Sequence, residues 1–112
     1  MKTFKINGQE FNSVELDMNF FCDIEEKFGI SKEQFLTDTL RTIRVYVAMC
    51  GDITLKEAGK LVEQHLINGN DLEEVGDIIK EEIDNSGFIK WITEGIENTQ
   101  TTPKSVKSNA KK

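Results

Sequence analysis

The feature that most constrains this chain is a change of hydrophobic period near Asp17. Residues 2–6, KTFKI, alternate polar and apolar, and Asn7-Gly8 follows. That dipeptide is the strongest short hairpin signal, because a type I′ turn needs positive φ at both central positions. Residues 9–14, QEFNSV, return as a second strand. Phe4, Ile6 and Phe11 then share one face, and Thr3, Lys5 and Gln9 the other. A lone hairpin is marginal in water, so the apolar face must pack on helices.

From Asp17 the apolar spacing becomes about 3.6. Phe20, Phe21, Ile24 and Phe28 form a stripe that predicts a helix over 17–28, ended by Gly29. Ser31 with Gln34 reads as a capping box opening a helix over 32–50 that stops at Gly51. Its apolar arc is wide: Phe35, Leu36, Leu40, Ile43, Tyr46, Val47, Met49 and Cys50, extended by Val45 and Ala48. Such an arc belongs to a central helix touched from several sides, or to one with an interface on a second face. Thr54-x-x-Glu57 opens a helix over 55–67 with Ala58, Leu61, Val62 and Leu66 inward. Asp71-x-x-Glu74 opens another over 72–84, striped by Leu72, Val75, Ile79 and Ile83. Phe88, Ile89, Trp91, Ile92 and Ile96 predict a last helix over 88–96. The expected fold is mainly α with a short N-terminal β-hairpin: a compact bundle of four to five helices in one domain, 1–97.

Charge separates the body from the end. All 20 acidic residues and ten of the 14 basic ones fall in 1–97, a net of −10, while residues 98–112 hold four lysines and no acid. This last stretch has only Val106 and Ala110 to bury. It reads as a disordered basic tail, either a solvated end or a tether for an acidic partner or its own acidic body. The acidic body argues against duplex nucleic acid. No apolar run is long enough to span a membrane, and MKTFKINGQEF shows no signal-peptide core. Cys22 and Cys50 make no disulfide framework and read as reduced thiols in cytoplasm.

No catalytic, cofactor-binding or metal-ligating set emerges. His65 is the only histidine, and it falls inside an apolar stripe, as a packed and hydrogen-bonded boundary residue does. Neither cysteine has an activating neighbour. A calcium loop beginning at Asn68 fails, since Leu72 and Glu73 occupy its fifth and sixth positions. A helix-turn-helix over 55–84 fails on charge, because its second helix would present LEEVGDIIKEEID to phosphates. Glutamate pairs such as Glu73-Glu74 and Glu81-Glu82 read as solvated faces. An enzyme is therefore not expected. What remains is binding, with apolar surplus on the 32–50 helix and on the Phe88–Ile96 segment. Leu40, Ile43, Val47, Phe88, Trp91 and Ile92 are the candidate partner-binding residues, against the reading that all are core. The surplus leaves self-association open.

The order of segments resembles the tail assembly chaperones of long-tailed phages that infect Gram-positive bacteria. The resemblance lies in FKINGQEF (4–11), EEKFGIS (25–31), an apolar helix ending near Gly51, LKEAGKLV (55–62) and NGNDLEEV (68–75), and it spans about residues 2–90. It implies a non-catalytic protein of the host cytoplasm, absent from the mature virion. Its partners would be the long helical tape measure protein and the tail tube protein. The family motif carries no catalytic residues, and many members also exist in a longer, frameshifted form. An alternative from another class is a small acidic regulatory or inhibitor protein that occupies a basic partner.

Overall fold

The structure is a computed structural model. It describes the backbone of residues 2–101 and the side chains as far as residue 94; residues 102–112, most of the expected tail, lie outside the described residues. The chain is mainly helical with a two-stranded antiparallel hairpin at its start.

Strands β1 (Thr3–Ile6) and β2 (Gln9–Asn12) pair Phe4 with Phe11 and Ile6 with Gln9. Asn7 and Gly8 both take positive φ, 52° and 81°, as the type I′ turn requires. Phe4, Ile6 and Phe11 are buried, and Thr3, Lys5 and Gln9 are exposed, as their alternation predicts.

Helix α1 (Met18–Phe28) starts where Asp17 accepts a hydrogen bond from the Phe20 N–H and ends at Gly29, φ 68°. Where the sequence predicts one helix over 32–50, the structure has two: α2 (Lys32–Thr37) and α3 (Thr39–Gly51). Asp38 leaves helical geometry (φ −123°, ψ 111°), and its carboxylate accepts from the Arg41 N–H. The Thr42 hydroxyl donates to the Phe35 carbonyl, one of those left without an intrahelical partner where α2 ends. Thr37-Asp38-Thr39 is a run of side chains that compete for backbone groups, so the break is locally satisfied.

The end of α3 also differs in detail. Asp52, not Gly51, takes the left-handed conformation, φ 53°. Gly51 serves close approach instead: a Cβ there would meet the Phe11 ring at 3.0 Å.

Helix α4 (Leu55–Ile67) has its Thr54–Glu57 capping box. Helix α5 (Glu73–Asn85) lacks the expected Asp71–Glu74 box. Asp71 accepts from the Glu73 N–H, and Glu74 turns away to accept the Lys5 N–H of β1 at 3.0 Å. With its carboxylate on the strand edge, Glu74 does not close a box on Asp71. Helix α6 (Gly87–Thr101) runs five residues past its expected end at 96.

One core joins these elements. Tyr46, Phe35, Val45, Val47, Ile24 and Val75 are fully buried in it. Val45 and Ala48 are buried along with Ile43 and Val47, so α3 is a central helix touched from several sides. The Tyr46 hydroxyl donates to the Val14 carbonyl at 2.9 Å and accepts the Val14 N–H at 3.0 Å, holding the segment after the hairpin to α3. Leu66, expected inward, is exposed: Ala58 and Val62 fill the contact, leaving Leu66 and Ile67 at the open end of α4.

Candidate interaction surface

The six candidate residues do not form one surface. Val47 is fully buried in the core, and Ile43 is buried too, though its side chain borders a surface depression. Leu40, at the start of α3, is 65% exposed. A depression of about 270 Å³ lies among Leu36, Ile43, Ile79 and Ile83 of the same region. Phe88 and Ile92 are half-buried, and Trp91 is 69% exposed. Helices α2 and α3 therefore carry one apolar spot, and α6 another.

The α6 spot is the better built. Ser86 is buried just before the helix; its hydroxyl donates to the Leu16 carbonyl at 2.6 Å and accepts the Ile89 N–H at 3.1 Å. This fixes the first turn of α6, and Ile89 packs into the core. Phe88 is then placed against Phe21, with ring centroids 5.8 Å apart, and Trp91 stacks on Phe88 at 6.2 Å with planes 17° apart. A groove of about 150 Å³ opens beside Phe88. Met18, Cys22 and Glu25 of α1 line it at successive turns, and Lys32 and Glu33 of α2 close it. Met18 is 57% exposed. Sequence reasoning missed Met18 and Cys22 because both lie off the α1 stripe; their spacing to Glu25 was the available signal.

Among the described residues, the titratable groups with resolved partners serve structural roles or are shifted by burial. His65 is fully occupied: its Nδ1 accepts the Asn7 N–H at 2.7 Å, and its Nε2 lies 2.7 Å from the Asp71 carbonyl. Because Nδ1 accepts, the proton sits on Nε2, which donates to that carbonyl. The Asn68 amide donates to Asn7 Oδ1, completing a clasp between the hairpin turn and the α4–α5 junction. Burial pushes the Cys50 thiol up to about 12, and burial likewise raises the Tyr46 hydroxyl. Neither is a nucleophile at ordinary pH. Burial, then Glu15 and Glu81, raises the Glu82 carboxyl above its ordinary value. Among the described residues, no group of three His, Cys, Asp or Glu is placed to hold a metal ion, and no helix is long and apolar enough to cross a membrane.

No family model matches the chain, and neither a search of characterised proteins nor one of solved structures gives a match.

Proposed function

We propose that this chain is a non-catalytic phage tail assembly chaperone that binds the tape measure protein and tail tube subunits in the host cytoplasm and does not remain in the mature virion. One observation carries the reading. A body whose first 97 residues hold a net of −10 exposes large apolar side chains, Trp91, Leu40 and Met18 among them, beside helices that already have a core. A chaperone for a long helical client needs apolar surface to cover the client's stripes and charge to keep the complex soluble. The order of segments supports the same reading.

The test is co-expression with the protein encoded beside it, especially a long helical one, followed by pull-down at low and high salt. The expected result is a soluble long partner that stays bound at high salt, since apolar burial is little screened. A partner that is not solubilised would refute the reading. The acidic body also favours a second reading, an acidic regulator of a basic partner, whose binding would instead collapse as salt rises.

A further inference from the structure

The groove that α1, the start of α2 and Phe88 of α6 enclose has an apolar floor and an acidic edge, and the two together restrict its occupant. Met18, Cys22 and Phe88 form the floor, extended by the exposed Trp91 ring. Glu25 and Glu33 stand at the edge, with Glu26 exposed on the next position of α1. The one lysine present, Lys32, is already bridged to Glu33 at 3.3 Å. A backbone hydrogen bond and Lys32 hold the Glu33 carboxyl below its ordinary value, so it stays charged. Helix α1 gives the groove one long wall, with Phe88 of α6 across from it, so a helix laid along α1 packs beside both.

From this juxtaposition we propose that the α1–α6 groove binds an amphipathic helix whose apolar stripe is flanked by lysine or arginine. The apolar stripe covers Met18, Phe88 and Trp91, and the flanking cations meet Glu25 and Glu26. An acid-flanked helix of the same apolar stripe is rejected by like charge, which gives selectivity on top of apolar attraction. This rests on the chaperone reading for its biological client, but the groove chemistry stands on its own geometry.

Trp91 is the only tryptophan and stacks on Phe88 of the groove wall, so its emission reports on the groove through that ring. The full chain is titrated with three tryptophan-free synthetic helical peptides of roughly five turns. One has a leucine stripe flanked by lysine, one the same stripe flanked by glutamate, and one the lysines with serine in place of leucine. The lysine-flanked amphipathic peptide is expected to shift Trp91 emission to the blue and protect it from acrylamide. The other two are expected to bind at least roughly tenfold more weakly, the cost of a like-charge edge or a lost apolar stripe. Met18→Glu and Cys22→Glu, both at exposed positions, are expected to weaken that peptide by roughly tenfold or more while leaving the far-ultraviolet spectrum and melting curve in place.

Equal binding of the glutamate-flanked peptide overturns the inference. So does an unchanged affinity in both folded variants, a silent Trp91, or protection of Trp91 that grows with protein concentration alone, which would mean a second copy fills the groove. If the long helical neighbour is captured equally by the wild type and by Met18→Glu, the chaperone reading stands and this groove assignment falls. If the lysine peptide binds but no client is captured, the groove stands and the chaperone reading falls.

Discussion

Tyr46→Phe removes one oxygen from the centre of the molecule and isolates what that oxygen does. The ring is fully buried, with Phe4 and Phe20 at centroid distances of 6.0 and 6.2 Å. Phenylalanine keeps those contacts and leaves no side-chain-sized cavity. The loss is two hydrogen bonds to one residue, Val14, one donated and one accepted. Each is worth about 0.5–1.5 kcal/mol net, and a buried group left unpaired costs about 1–3 kcal/mol. Val14 is half-buried, so water recovers part of that cost. The expected destabilisation is therefore about 2–3 kcal/mol, on the order of a hundredfold in the folding constant and a fall in Tm on the order of 10–20 °C. Urea melts followed by far-ultraviolet circular dichroism give the number, and an unchanged m-value shows that the same surface unfolds. Amide exchange at Val14 should also quicken in the variant. A loss below about 0.5 kcal/mol would refute the reasoning, because it would mean that Val14 is satisfied without the hydroxyl and that packing alone joins the hairpin segment to α3.

Four further outcomes follow from named contacts. Cys22 is exposed and Cys50 is not, so a maleimide should label Cys22 at once and Cys50 only on unfolding, as peptide mapping would show. Glu82 has a raised carboxyl pKa in the folded state, so its stability contribution is full below the ordinary carboxylate value and is lost as pH rises through the folded value. Glu82→Gln should therefore melt slightly higher than wild type at pH 7, with the advantage gone by about pH 4, where even the unfolded-state carboxyl is largely protonated. Ser86→Ala should cost about 1–2 kcal/mol, since it removes a cap and a bond to Leu16, and urea melts measure it. His65→Ala should cost about 1–2 kcal/mol and speed amide exchange at Asn7, which loses its acceptor.

Where one short segment sets both geometry and partners, the fold was legible in advance. Asn7-Gly8 dictates its turn, Ser31–Gln34 and Thr54–Glu57 cap their own helices, and Phe4, Ile6 and Phe11 alternate onto the core side. The misreadings occur where a distant element competes for a local group. Glu74 had the right spacing to close a capping box on Asp71, yet the unpaired Lys5 N–H, 69 residues away, takes its carboxylate. Gly51 read as a helix stop because glycine so often is one; the neighbour that requires it, Phe11, is 40 residues away in sequence. At Asp38 the failure was of another kind. Continuous apolar periodicity on both sides of Thr37-Asp38-Thr39 outweighed three residues whose side chains cap and turn the chain, and the structure follows the three.

The candidate surface was half legible for a related reason. A helical wheel tells which residues share a face but not how many neighbours the helix has. The width of the 32–50 arc admitted a central helix or a second interface. Because helices and hairpin surround α3, Ile43 and Val47 are spent on the core, and the exposed leucines of the arc are Leu36 and Leu40, on either side of the Asp38 break. Trp91 was legible because the 88–96 stripe carries more apolar residues than the one, Ile89, that α6 buries in the core. Met18 was not, because its value comes from Phe88 lying across from it, a pairing set by the Ser86–Leu16 hydrogen bond between residues 70 apart. A single exposed methionine is ordinary surface, and a single exposed tryptophan only somewhat less so. What sets these two apart is Phe88, which lines the groove with Met18 and stacks on Trp91, in a helix whose first turn one buried serine holds in place.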